Sequence, residues 1–250
     1  MIKIGSIRLF SSFSLMLLLA AVLTASAVLP ATGTSAGPAA DNALAFAVSG
    51  DDIICVEVVH TNKASAAASK PGGYVLTGYK WPSTPVTYAI NHGSIPAGLI
   101  KTAVSDAIKT SAETWDAATG AELFKDAVSD TTAAYGVYDQ TNAVTFAPIA
   151  SSGTIAVTMY WFNRKTKALL EFDMCFNTNY PWGISGSTSG TFMEIRNIAT
   201  HEFGHSVGLG DLYKTTTADL TMYGYANYNE INKTSLEAGD IAGIQFLYGQ

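Results

Sequence analysis

Apolar residues recur along the chain with two different periods, and each change of period marks an element. From Pro85 to Asn91 the side chains Val86, Tyr88 and Ile90 return every second residue, as in a half-buried strand, and Asn91-His92-Gly93 reads as its turn. The period then lengthens. Between Pro96 and Ala118, Ile100, Val104, Ile108 and Trp115 follow helical spacing beside Ala103, Ala107 and Ala112, with Ser94 available as a cap and Gly120 just past the end. Three β-rich runs follow, Ala143–Ala147, Thr154–Phe162 and Leu169–Asn177, separated by turn-forming residues, and they predict adjacent strands. A Gly/Ser/Thr loop from Pro181 to Thr191 leads into a helix predicted over about Phe192–Gly208. The last predicted helix starts at Thr234, where Thr234 and Glu237 match a capping box and Ile241, Ile244, Leu247 and Tyr248 form an apolar face.

The first part of the chain has a different character. Lys3 and Arg8, the apolar run Leu15–Leu23 and Ala25-Ser26-Ala27 are the three parts of a secretory signal, so residues 1–27 are expected to be removed on export. Serines at 11, 12 and 14 and the shortness of the run argue against a permanent anchor, and no stable membrane insertion is expected after cleavage. Residues 28 to about 50 are rich in Ala, Gly, Ser, Thr and Pro and read as a linker, and a second alanine-rich polar stretch runs from Thr61 to Gly73. The predicted organisation is therefore a signal over 1–27, a low-complexity lead or pro-segment over 28–77, and one domain over 78–250.

Composition narrows the partners. A net charge of −6 with no basic block leaves no electrostatic footprint for nucleic acid, and a soluble secreted monomer is expected. Hydrophobic residues make up 48% of the chain, enough for a real core, while two cysteines cannot build a disulfide-dense miniprotein or a Cys-rich zinc module.

Chemistry concentrates in His201-Glu202-Phe203-Gly204-His205. On a helix turning about 100° per residue, His205 lies about 40° from His201 and Glu202 about 100° from it, so two imidazoles can hold one metal with a carboxylate beside them. Ala199, Phe203 and Val207 lie on the opposite side and can bury it. Gly208 can take the left-handed conformation that ends the helix and returns Asp211 to the histidines as a third ligand. Two neutral imidazoles and one carboxylate favour Zn2+ and leave a fourth position for water, which makes Glu202 the candidate general acid/base.

The run H-E-x-x-H-x-x-G-x-x-D, followed by Met222 in Leu220-Thr221-Met222-Tyr223-Gly224-Tyr225, resembles the metzincin metalloproteases with their Met-turn, and within them the matrixins, including secreted microbial members. Further likeness lies in Lys80-Trp81-Pro82, Trp115 and the run Asp240–Gly249. The resemblance implies an α+β, metzincin-like fold: a twisted, mostly parallel five-stranded sheet, two long helices, and a small C-terminal subdomain with the Met-turn and a final helix. It implies a secreted zinc-dependent endopeptidase acting on protein or peptide substrates, with Met222 as the floor beneath the metal. The alternative is a catalytically silent extracellular binding or adhesion module on the same scaffold, against which the intact Glu202 argues.

The sequence departs from the family pattern in several places. Asp211 stands where most matrixins have a third histidine, and an anionic ligand makes the metal's water less acidic, so a neutral to basic optimum is expected. Only His60 and His92 remain outside the motif, too far apart for a second zinc, and His92 reads as a turn residue. Cys55, which lies in the strand-like run Ile53–Val58, and Cys175 admit a disulfide, two separate thiols, or Cys55 as a latency ligand. Ca2+ would need oxygen ligands from Asp126, Asp130, Asp139, Glu171 and Asp173, whose spacing is irregular, so these read better as solvated carboxylates. The loop Leu212–Lys233 should carry the selectivity pocket and offers Thr, Tyr and Asn for its wall.

Overall fold

The computed structural model describes residues 43–49, 52–61, 73–151 and 153–250. The predicted signal, the lead up to residue 42 and the stretch 62–72 lie outside the described residues. In chain order the strands are β1 (Ala43–Ser49), β2 (Ile53–Thr61), β3 (Val75–Leu76), β4 (Ala89–Ile90), β5 (Ser129–Asp130), β6 (Ala143–Ala147), β7 (Thr154–Asn163), β8 (Leu169–Asn177), β9 (Trp182–Gly183), β10 (Met193–Glu194) and β11 (Leu209–Gly210). The helices are α1 (Lys101–Asp116), α2 (Ile195–Ser206) and α3 (Ala238–Tyr248).

Seven strands form the main sheet in the order β1-β2-β7-β8-β6-β4-β5. The five strands β4 to β8 are those of the expected sheet: β5, β4, β6 and β8 run parallel, and β7 returns antiparallel beside β8. Beyond β7 the sheet continues with β2 and β1, both added antiparallel. Residues 43–49, expected to be linker, therefore form strand β1 instead, and 53–61 form β2. Val56, Val58 and His60 alternate with Cys55, Glu57 and Val59, and a period of two lets one side of the strand join the core.

Alternation on β8 sorts the sheet's faces. Phe172, Met174 and Phe176 belong to the core with Phe203 of α2, while Glu171, Asp173 and Cys175 point to the other face. The segment between β5 and β6 covers that second face: Tyr138 lies 5.8 Å from Trp161, and Tyr135 donates a hydrogen bond to Glu57. On the helical side Trp115 Nε1 donates to Thr200 O at 2.8 Å and joins α1 to α2.

Helix boundaries moved where local bonding outcompeted the apolar pattern. Helix α1 begins at Lys101, since Ser94 is used elsewhere: its hydroxyl donates to Asn91 O and accepts from Phe146 N, pinning the turn after β4 to β6. Helix α3 begins at Ala238, with Glu237 as cap and Asp240 accepting from Glu237 N at 3.0 Å, so the capping box is shifted from Thr234, which sits in a short 3-10 turn. Among the described residues no helix is long and apolar enough to cross a membrane.

Candidate metal centre

Helix α2 carries His201, Glu202 and His205 and is buried almost throughout. The Glu194 carboxylate caps its start by accepting from Asn197 N at 2.6 Å. Phe203 anchors the side away from the histidines, packing edge-on against Phe124 at 4.9 Å and Tyr88 at 5.2 Å. The glycine inside the motif has a steric role. A Cβ on Gly204 would stand 2.2 Å from Met222 Sδ and 2.8 Å from a ring carbon of Trp115, so its absence lets the Met222 turn press against the helix.

The helix ends as its sequence predicts. Gly208 has φ +102°, and a Cβ there would come within 2.2 Å of Tyr79 O, so the reversal depends on glycine. The chain turns through β11, which pairs with β3, and delivers Asp211 to the histidines. Leu212 N donates to Met222 O and Gly224 N to Leu212 O, tying this segment to the Met222 turn. That turn is held in place by α3, where Asp240 accepts from Thr221 N at 2.8 Å and Met222 N at 3.1 Å.

Three ligand atoms converge as a result. His201 Nε2 lies 3.0 Å from His205 Nε2 and 3.1 Å from Asp211 Oδ1, and His205 Nε2 lies 3.4 Å from the same oxygen. Ligands about 2.0–2.2 Å from a tetrahedral ion stand about 3.4 Å apart, close to these edges. Protonation agrees with a cation. His201 Nδ1 lies 2.7 Å from Thr221 O and His205 Nδ1 2.9 Å from Leu209 O; a carbonyl only accepts, so each Nδ1 carries the proton and each Nε2 keeps a lone pair. Tyr213 donates to Asp211 Oδ2 at 2.7 Å, while Oδ1 receives no hydrogen bond. Three buried lone pairs facing one point repel each other unless a positive charge lies between them, and imidazole with carboxylate suits zinc.

The titration behaviour follows the same logic. Burial disfavours the Asp211 carboxylate, yet the His205 and His201 rings outweigh it and hold the group well below the usual carboxylate range. Burial also opposes charge on His205, and Asp211 overrides it, pushing the imidazole up to about 9, so that where no metal supplies the positive charge a proton on His205 Nε2 does, and a bound metal would displace that proton. For His201 burial wins and the ring is held toward its neutral form. Glu202, fully buried beside them, is pushed up to about 7 by burial, against the pull of His205 and of the Thr158 hydroxyl, which donates to Oε2 at 2.6 Å. Its Oε1 has no hydrogen-bond partner.

The cysteines are not part of this centre. Of the three readings the structure has the separate thiols: both cysteines are free and buried, with no bridge between them. Cys55 on β2 stands opposite Trp161, and Cys175 on β8 stands opposite Val157. They are two strands apart and offset by four residues, well beyond disulfide reach. Both point to the sheet face away from α2, which also rules out Cys55 as a ligand at the histidines; burial, with Glu57 nearby, pushes its thiol up to about 12. His92 serves its turn, with Nδ1 2.8 Å from Asp130 Oδ1 and Nε2 2.7 Å from Ser105 Oγ. The acids considered for calcium form no set of three ligands, the grouped sets among the described residues being His201 with His205 and Asp211, and His60 with His201 and Glu202; contrary to expectation Glu171 and Asp173 are not solvated but buried, their carboxylates accepting backbone N–H groups.

The motif did not reveal Thr158, Asp240, Tyr213 or His60. Asp240 was readable only as a helix acid, and Thr158 only as one polar residue in an apolar strand. His60 carried a usable signal: it occupies the core-facing position of the Val56, Val58, His60 alternation, an odd place for an imidazole.

Comparison with known proteins agrees with this geometry. The family model described as matrixin matches residues 80–249. The chain is 31% identical over 182 residues to a hatching enzyme of Paracentrotus lividus, covering 70% of this chain and 27% of that protein. It is 28% identical over 190 residues to stromelysin-3 of Xenopus laevis (74% and 36%) and 26% identical over 180 residues to human neutrophil collagenase (71% and 36%). The chain thus spans between a quarter and two fifths of the length of these relatives. With most of the domain matched from its opening strand to its closing helix, the chain belongs to the matrixin family.

Proposed function

We propose that the chain is a secreted zinc endopeptidase in which His201, His205 and Asp211 hold the metal and Glu202 is the acid/base. The observation that carries this reading is the triangle of two Nε2 atoms and Asp211 Oδ1, its protons fixed outward by Thr221 O and Leu209 O, beside a carboxylate oxygen that has no other partner. Bound zinc would supply Lewis acidity to a peptide carbonyl and to the attacking water. Glu202 Oε1 is free to take a proton from that water, and the same carboxyl then returns it to the leaving amine. Thr158 keeps Oε2 occupied, which fixes which oxygen does the work. Asp240, through the Met222 turn, and the two carbonyl acceptors act as positioning groups for the ligands. The matrixin relatives support peptide or protein as substrate, and the signal-like first 27 residues support export.

The test uses the zinc-loaded chain and casein over a prolonged incubation. Hydrolysis should stop on adding a chelator and should be lost in Glu202→Gln with zinc retained. Cleavage that survives chelation would overturn the metal mechanism.

A further inference from the structure

A cavity of about 560 Å³ lies against the end of α2, and none of its lining residues belongs to the metal centre. That volume suits a small ligand or a few side chains of a partner. Three pieces of chain enclose it: the segment that follows β3, the hairpin joining β7 to β8, and the last turn of α3. Long-range bonds hold them together. Lys80 N donates to Lys167 O at 3.3 Å and Leu169 N to Lys80 O at 2.9 Å, while the Tyr248 hydroxyl accepts from Trp81 N at 3.1 Å. The same walls are tied to the helix end, since Trp81 Nε1 donates to Ser206 O at 2.8 Å and the Tyr248 hydroxyl to Val207 O at 3.0 Å. The cavity is therefore built before any ligand arrives, which lowers the cost of binding one.

Its chemistry is cationic and aromatic. The bonds between residue 80 and the hairpin bring Lys80 and Lys167 to one cavity, both are exposed, and neither is in an ion pair among the described residues. Lys80 Nζ donates to Leu247 O at 3.0 Å and keeps two further donors, and Lys167 Nζ stands 5.2 Å over the Tyr79 ring. No lining residue is acidic, although the chain carries a net charge of −6. Two unpaired ammoniums on one cavity repel each other, and an anion between them removes the repulsion. Lys167 also has φ +62°, a left-handed conformation that favours glycine or asparagine, so a lysine stands where the turn itself does not favour one. Beside it Phe246 lines the cavity with 67% of its surface exposed, and Tyr79 is stacked on Phe162 with ring centroids 3.5 Å apart. Sulfated polysaccharide and nucleic acid need rows of cations, and this cavity has two among several aromatic rings. A carboxylate next to an aromatic or large apolar side chain, as in an acidic peptide, satisfies both features.

We propose that this cavity is an exosite for the protein substrate: it takes an acidic segment that carries an aromatic or large apolar side chain and lies away from the bond that is cut. The carboxylate sits between Lys80 and Lys167, and the apolar side chain packs on Phe246 and Tyr79. The substrate role rests on the peptidase reading above; the binding of the segment does not.

A fluorophore-labelled peptide of alternating Glu and Phe, added to the full chain carrying Glu202→Gln so that it is not cut, reports binding by anisotropy. Lys167→Asn, whose new side chain suits the left-handed turn, and Phe246→Ser each change one exposed residue, and each should weaken binding about fivefold. Added salt should weaken binding, and a chelator should leave it unchanged. With Glu202 intact, both variants should raise KM for casein, an acidic protein, and leave kcat and the cleavage of a short uncharged fluorogenic peptide as in the wild type. Binding that ignores both variants, or that is lost on chelation, would overturn the site. A sulfated polysaccharide that displaces the peptide at a lower concentration than unlabelled peptide does would overturn the assignment to peptide. Weakened binding with an unmoved KM for casein would overturn the substrate role. A wild type that cuts neither substrate would overturn the peptidase reading instead, and the binding measurement would still decide the cavity.

Discussion

Two clusters of buried carboxylates lie on opposite sides of the central strands, and they differ in how their lone pairs are used. Beneath the helical face, Asp211 Oδ1 and Glu202 Oε1 receive no hydrogen bond and stand among imidazoles. On the other face, Asp173 accepts from Gly136 N at 2.8 Å and Ala143 N at 3.2 Å, and Glu171 accepts from the backbone N–H groups of Asp139 and Gln140. Both clusters are buried and both contain strongly shifted groups, so neither burial nor a shifted pKa separates a reactive site from a structural one. Satisfaction does. Carboxylates that face backbone N–H groups pin a loop, and carboxylates left open beside bare imidazole nitrogens call for a cation.

The comparison breaks most directly at the two glutamates. Glu202→Gln should lower kcat by about 10²–10⁴, the range of a lost general base, and leave zinc content unchanged by metal analysis. Glu171→Gln should keep kcat within a few-fold and show its effect in a denaturation curve. Equal losses of activity in the two variants would erase the distinction. Next in size is metal affinity. His205→Ala removes a ligand and should weaken zinc by more than the roughly 10–100-fold that loss of an outer hydrogen-bond partner costs, as measured by competition with a chelator dye. Asp240→Asn, which loosens the Met222 turn, should fall within that smaller range, and Asp173→Asn should not move the affinity.

The same contrast explains what could be read from the chain. The convergence of the candidate ligands was legible because its geometry is local: His201, Glu202 and His205 share a helix arc, Gly208 supplies the reversal, and Asp211 follows within a few residues. The strands β6, β7 and β8 were legible from alternation and turn residues. In the lead the strand-like run Ile53–Val58 was legible but its place in the sheet was not, because β2 pairs with β7 about a hundred positions away, and Ala43–Ser49, read as linker, becomes a strand by pairing with β2. The bonds of Asp240 to Thr221 and Met222 and of Thr158 to Glu202 are equally non-local. The cysteine bridge failed for the same reason: β2 joined the sheet two strands from β8 and in a register that separates Cys55 from Cys175. Helix starts shifted because Ser94 and Glu237 found closer partners than the apolar pattern could show.

A smaller effect tests whether the second cluster is structural. Asp173→Ala leaves the N–H groups of Gly136 and Ala143 without their acceptor, and each orphaned buried donor costs about 1–3 kcal/mol. Urea unfolding should show a loss of that order, with zinc affinity unchanged. A loss of zinc in step with stability would mean that the two faces are coupled through β8.

The smallest effect is a slope with pH. Burial raises Asp173 to about 7, assisted by Glu171, and burial likewise raises Glu171 to about 7, in each case against the backbone N–H groups that favour the charged form. In the unfolded chain both groups titrate near the ordinary carboxylate value, about 4. Between these limits the folded protein holds protons that the unfolded chain has released, so stability is greatest at the acid end of the window and declines as pH rises toward 7, then levels off. Melting temperature followed from about pH 5 to about pH 8 should fall accordingly in the zinc-loaded protein. The double variant Glu171→Gln, Asp173→Asn should melt lower throughout, since an amide cannot accept every N–H that a carboxylate does, but its curve should be flatter. A wild-type slope that persists in the double variant would have to come from the helical side, where Glu202 is also raised to about 7, and would assign the protons to the cluster around Glu202 instead.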